Sequence, residues 1–98
     1  MLLYFLLSSY LFVLVKYYKD QEFVDKVGDK LREIREKKGF TQEGLSLEAG
    51  FPPSQVGRTE RGEINASISH IAAYAKVLEI HPKEILDVEF NIPKKKRK

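Results

Sequence analysis

The chain has 98 residues, no cysteine and a formal net charge of +3 at pH 7. This length suits one small domain, and the lack of cysteine excludes disulfides and thiolate zinc sites. Between Phe23 and Phe90 ten Lys and Arg oppose twelve Asp and Glu, whereas the last eight residues carry five cations. If the domain binds DNA, its cations must therefore be gathered on one face.

Residues 1–20 form an apolar N-terminal segment, which we expect to be helical and to lie outside the folded domain. The run 1–15 carries no charge, and Lys16 and Lys19 follow it. A spanning helix needs about 20 apolar residues, and no positive residues precede the run as in a secretory signal. Three interpretations stay open: a membrane anchor through residues 1–15 that leaves the domain in the cytoplasm, a partner-binding helix, or a start-site artefact.

Residues 21–90 are predicted to form a helical domain. Apolar residues recur at steps of three and four from Phe23 to Ile34, which predicts one face of a helix over 21–38. Gly39 ends this helix and Thr41 offers an N-cap for the next. Ser67 is predicted to cap a fourth helix. Its expected buried stripe comprises Ile68, Ile71, Ala72, Ala75 and Leu78, and Tyr74, Val77 and Ile80 are expected to widen it.

The stretch 42–62 has the pattern of a helix-turn-helix, in which two short helices flank a tight turn. Gly50 stands at the turn, where glycine adopts a left-handed backbone without strain. We expect Pro52 and Pro53 to open the second helix and Gly62 to end it. The side chains expected to share a core are those of Leu45, Ala49, Phe51, Val56 and Thr59, with Ser46 small at the helix crossing.

A last short helix is predicted to begin at His81 or Pro82 and to run through Asp87. Residues 91–98 form a basic tail that we expect to be disordered. This tail either adds phosphate affinity or only keeps the chain soluble. Apolar residues beyond the needs of one short helix indicate a homodimer interface; these are Ile85, Leu86, Val88, Phe90 and Ile92.

From Leu31 to about Leu86 the sequence resembles the Cro/repressor-type helix-turn-helix family of prokaryotes. The resemblance is carried by Gly39-Phe40-Thr41-Gln42, Leu45-Ser46, Ala49-Gly50, residues 56–62 and Ala75-Lys76-Val77-Leu78, together with residues 31–35. It implies an all-α, compact five-helix bundle like that of lambda repressor, and a cytoplasmic homodimer on palindromic double-stranded DNA. It also implies a structural ion pair between Arg35 and Glu60.

The candidate DNA contacts fall into two sets. Ser54, Gln55 and Arg58 are the base-reading candidates, because Arg pairs with guanine and Gln with adenine, although Gln55 could instead face a phosphate. The phosphate candidates are Thr41, Gln42, Arg61 and Asn65, and Arg61 is equally suited to complement the helix dipole. Gly57, Thr59 and the two prolines depart from the family pattern.

These features predict a transcriptional regulator, mostly a repressor, that inserts the helix near 53–61 into the major groove. The alternative is an antitoxin-like module that binds a toxin and regulates its own gene. We expect that the protein is not an enzyme, because its sequence contains neither a phosphate-binding glycine loop nor a nucleophile elbow. We expect no cofactor and no metal, since His70 and His81 lack ligand partners at suitable spacing.

Overall fold

The computed structural model of the protein describes residues 2–3, 7 and 18–95. Within that range five helices form the domain: α1 (Gln21–Lys37), α2 (Gln42–Glu48), α3 (Gln55–Glu60), α4 (Ile68–Leu78) and α5 (Pro82–Leu86). The described residues contain no strand, so the predicted five-helix, all-α domain is confirmed. The expected helix over 1–15 lies almost wholly outside the described residues. Among those described, none of the helices has the length and apolar character needed to cross a bilayer.

Local signals define the starts of α2 and α4 as predicted, and α1 has a cap that was not predicted. The Thr41 side chain accepts the Gly44 N–H at 2.9 Å and so caps α2. Ser67 caps α4 by accepting the N–H of His70, whose Nδ1 accepts the Ser67 N–H in return. The unpredicted cap is Asp20, which caps α1 by accepting the Phe23 N–H. Asp20 therefore supports α1, although it falls in the predicted N-terminal segment.

The core forms where all five helices meet. α1 packs against α3 and α5, α2 packs against α3 and α4, and α4 packs against α5. The fully buried apolar side chains are Leu31, Leu45, Val56, Tyr74, Leu78 and Ile85. Each such burial contributes roughly 1.5–3 kcal/mol relative to an exposed side chain. The helix-turn-helix pair α2–α3 is thus fixed to the rest of the bundle from behind.

One predicted core position in α4 is wrong, and one of the apolar residues considered for the dimer interface lies in the core. Ile68 is 88% exposed, whereas Tyr74 is fully buried. Ile68 occupies the first position of α4, where no preceding turn lies beneath its side chain, so the buried stripe begins only at Ile71. Ile85 belongs to the core and does not contribute to an exposed patch.

The chain after α5 returns to α1. Phe90 packs edge-to-face on Phe23 with 5.5 Å between ring centroids, and Lys26 Nζ donates to the Glu89 carbonyl at 3.0 Å. Residues 91–95 are exposed and adopt neither helix nor strand. Residues 96–98 of the basic tail lie outside the described range.

Candidate nucleic-acid interface

Helix α3 has an inner face that is buried and an outer face that is exposed. Val56, Gly57, Thr59 and Glu60 are buried. Arg58 and the N-cap residue Ser54 point to solvent. Because Ser54 and Arg58 lie one turn apart, they share the outer face. With its inner face packed on the domain, the helix can present this outer face to a ligand.

The start of α3 differs from the prediction. The helix begins at Gln55, and Pro52 and Pro53 belong to the preceding turn, in which the Gln55 N–H donates to the Pro52 carbonyl at 3.0 Å. Ser54 makes no side-chain capping hydrogen bond. The turn geometry at the two prolines therefore displaces the helix start by two residues from the predicted position.

Ser46 of α2 replaces the missing cap of α3. Its Oγ accepts the Val56 N–H at 3.0 Å and donates to the Gln42 carbonyl at 2.8 Å. Ser46 is fully buried, so this hydroxyl satisfies a helix N–H that water cannot reach. The small side chain that we expected only to permit a close crossing also joins the two helices.

A buried ion pair secures the inner face of α3 to α1. Arg35 Nε donates to Glu60 Oε2 at 2.6 Å, and Arg35 Nη2 donates to Glu60 Oε1 at 3.1 Å. Arg35 Nη1 also donates to the Phe40 carbonyl at 2.8 Å. The hydrogen bonds with Glu60 raise the pKa of Arg35 above its ordinary value. The two-point contact fixes the guanidinium plane, which a single hydrogen bond would not do.

Gln42 takes part in this buried network. Its Nε2 donates to Glu60 Oε1 at 2.9 Å, and its Oε1 lies close to Gly57, where an added Cβ would stand 3.0 Å away. The side chain of this predicted phosphate ligand is thus engaged inside the protein. Gly57, a departure from the family pattern, leaves the space that the Gln42 side chain occupies.

The other phosphate candidates, one before α2 and two after α3, differ in their contacts. Thr41 uses its hydroxyl to cap α2. Arg61 is exposed at the C-cap of α3 and forms an ion pair with Glu63. Asn65 Nδ2 donates to the Tyr18 carbonyl at 3.3 Å. Arg61 is thus the C-cap of α3, and Asn65 lies in the loop that follows.

The base-reading candidates are not equivalent. Arg58 is exposed, and its Nε lies 3.8 Å from Glu63 Oε1. Gln55 is half-buried, and its backbone carbonyl accepts a hydrogen bond from the Thr59 hydroxyl at 2.9 Å. Ser54 is exposed with its hydroxyl outside the helix-capping network. Arg58 and Ser54 are the most accessible of the three.

Sequence reasoning missed two residues that shape this region. A Cβ on Gly28 would stand 2.6 Å from the Thr59 carbonyl oxygen, so α1 approaches the end of α3 backbone to backbone. Glu63 contacts both Arg58 and Arg61. A glycine on an otherwise regular apolar face of α1 and a carboxylate just after Gly62 were the available signals.

The histidines serve as helix caps. His70 completes the capping box of α4, and His81 Nδ1 accepts the Lys83 N–H at 3.0 Å at the start of α5. Glu84 accepts the His81 N–H in turn. Both imidazoles thus have structural roles at separate helix starts.

Comparison with known proteins places this geometry in a family. The helix-turn-helix family model matches residues 31–85. Control protein C.BamHI of Bacillus amyloliquefaciens is 36% identical over 61 residues, which cover 61% of this chain and 75% of that protein. The HTH-type transcriptional regulator YazB of Bacillus subtilis (strain 168) is 37% identical over 62 residues, which cover 63% of this chain and 90% of that protein.

A solved structure supports the same assignment. The restriction-modification controller protein C.AhdI from Aeromonas hydrophila superposes with a TM-score of 0.62 at 42% sequence identity. The superposition covers 63% of this chain and 94% of C.AhdI. The chain belongs to the helix-turn-helix family of DNA-binding transcriptional regulators.

Proposed function

We propose that this regulator places the outer face of α3 in the major groove of a specific operator and acts mainly as a repressor. The observation that carries the proposal is the contrast between the two faces of α3. Its inner face is fixed by the Arg35–Glu60 pair, whereas Arg58 and Ser54 remain exposed on the outer face. A fixed helix with an exposed arginine suits guanine recognition in the major groove.

In this arrangement phosphates would be bound at the start of α2 and after the end of α3. Arg61 and Asn65 lie after the helix, and Thr41 and Gln42 lie at the start of α2. Since the Gln42 side chain is engaged with Glu60, we assign its phosphate contact to the backbone N–H at the helix start. These contacts would set the register, and Arg58, Gln55 and Ser54 would read the sequence.

The direct test is selection of bound sequences from random duplex DNA with the full chain. We expect enrichment of a palindrome whose half-sites are about one helical turn apart. Arg58→Ala should lose about 1–3 kcal/mol of discrimination at one base pair, whereas Arg61→Ala should weaken binding to all sequences and reduce the salt slope by about 1. No enriched sequence, or uniform weakening by both variants, would contradict the proposal.

We also propose a homodimer that forms through the end of α5 and the segment after it. Leu86, Phe90 and Ile92 are exposed apolar side chains within or beyond α5, and such patches mark interfaces more often than scattered residues do. Sedimentation of Leu86→Asp should reveal monomers. The matched control Leu47→Asp changes an exposed leucine of α2 and should leave the dimer intact. A dimer in both variants would place the interface elsewhere.

The names of two relatives suggest a narrower candidate function, namely which genes the protein regulates. C.BamHI and C.AhdI are both named as control proteins, and C.AhdI belongs to a restriction-modification system. By this likeness the operator would lie at the promoters of restriction-modification genes. This candidate function would be supported if neighbouring reading frames are of that type and the protein binds their promoters. The regulator names of the relatives favour this class over the antitoxin alternative.

A further inference from the structure

Glu63 lies among three cations beside the outer face of α3. Arg61 Nε donates a hydrogen bond to Glu63 Oε2, and Arg58 Nε is 3.8 Å from Glu63 Oε1. The hydrogen bond from Arg61 lowers the pKa of Glu63, and the charges of Arg58 and Lys19 lower it further. The carboxylate is therefore ionised at neutral pH, and we call these four residues the Glu63 cluster.

The backbone fixes the position of Glu63. Its N–H donates to the Arg58 carbonyl at 2.9 Å, directly after Gly62, whose φ of +72° reverses the chain. Lys19 Nζ and Gln21 Nε2 donate to the Gly62 carbonyl at 2.7 and 2.9 Å. The turn that carries Glu63 is thus held by hydrogen bonds from Lys19, Gln21 and the end of α3, and in this turn the carboxylate lies beside the two arginines.

We propose that Glu63 is a positioning residue that determines the DNA specificity of α3. This inference rests on the proposed function. In the free protein the carboxylate occupies the place of a phosphate between Arg58 and Arg61 and orients both guanidinium groups. On unrelated DNA it opposes their use as general phosphate ligands, because a carboxylate near a phosphate is repelled. At the operator the guanine contact of Arg58 offsets this repulsion.

The variant Glu63→Gln removes the charge and keeps the shape of the side chain. We expect it to bind an unrelated duplex about threefold to tenfold more tightly, and the selected operator by a smaller factor. The specificity ratio should therefore fall. For the unrelated duplex, the slope of log K against log salt should steepen by about 0.9, as for one additional phosphate contact.

The matched control is Glu48→Gln, which changes the net charge equally at an exposed position of α2. It should shift both affinities by the same small factor. Unchanged thermal melting of both variants would show that the fold is intact. The proposal is overturned if Glu63→Gln leaves the specificity ratio equal to that of Glu48→Gln, or lowers both affinities.

The two proposals fail in distinguishable ways. If the wild type prefers its selected operator and only the effect of Glu63→Gln is missing, the role of Glu63 is wrong and operator recognition stands. If selection from random DNA enriches no sequence, operator recognition and the role of Glu63 are both overturned.

Discussion

Helix α3 and the turn after it contain two contacts of the same chemistry in opposite surroundings. In the Arg35–Glu60 pair the side chains are 9% and 2% exposed, and in the Arg61–Glu63 pair they are 55% and 47% exposed. Removing one partner from a buried pair leaves an uncompensated charge, whereas water replaces the partner in an exposed pair. The buried Arg35–Glu60 pair is therefore needed for stability. In the exposed Arg61–Glu63 pair, either residue can exchange its partner for water or another ligand.

The largest expected effect is the loss of stability in Glu60→Ala. The Arg35 guanidinium would remain buried without its carboxylate, and Gln42 would lose an acceptor. We expect the free energy of unfolding to fall by roughly 3–5 kcal/mol, measured by urea denaturation. Glu63→Ala is the control and should unfold like the wild type. Equal losses in the two variants would refute the distinction drawn here.

A second test concerns the close approach of α1 to α3, which allows the buried Arg35–Glu60 pair to form. Gly28→Ala would place a Cβ 2.6 Å from the Thr59 carbonyl and 2.7 Å from the Glu60 carbonyl. Backbone atoms at that distance cannot move independently, so α1 and α3 must separate at a cost of roughly 1–3 kcal/mol. Asp29→Ala changes the neighbouring exposed position and should be neutral. An unaffected Gly28→Ala would indicate that the two helices tolerate a wider spacing.

A smaller effect is expected behind the inner face of α3. The Tyr74 hydroxyl is buried without a hydrogen-bond partner among the described residues, and burial raises the pKa of this phenol. Thr59 and Gln55 lie close to the hydroxyl but do not form a hydrogen bond with it. Tyr74→Phe should therefore leave stability unchanged or raise it by up to about 1 kcal/mol, as measured by urea denaturation. The control, Tyr18→Phe, changes an exposed ring. A clear loss confined to Tyr74→Phe would reveal a partner for the hydroxyl.

The contact between Arg61 and Glu63 can be tested by measuring the pKa of Glu63. The hydrogen bond from Arg61 lowers the pKa of Glu63 below 4.5. A lowered folded-state pKa stabilises the fold above the unfolded value, and this contribution disappears as the pH falls through the folded value. NMR titration should show the pKa of Glu63 rising toward 4.5 in Arg61→Ala and staying low in Arg32→Ala. A wild-type value already at 4.5 would contradict the contact.

Local sequence signals predicted the helices well because caps and glycine turns act over four or five residues. Gly50 has a φ of +88° as expected, and Leu45 and Val56 are fully buried. The resemblance supplied the partners Arg35 and Glu60. By contrast, the close approach at Gly28 depends on where α1 crosses α3, and no local pattern encodes that crossing.

The candidate site was predictable in its residue types but not in its internal partners. Arg58 is on the outer face of α3, as the spacing indicated. The hydrogen bonds from Gln42 to Glu60 and from Arg61 to Glu63 could not be predicted. The first joins two helices through residues 18 positions apart in the sequence, and the second depends on the φ of Gly62 between its two residues.

The cap that Ser46 supplies to α3 has a consequence for how binding preference can change. Because the Val56 N–H is satisfied from α2, Ser54 has no capping duty in its own helix. Position 54 can then be varied in a library without dismantling the scaffold, and a new operator preference can arise there by substitution of a residue that the fold does not require.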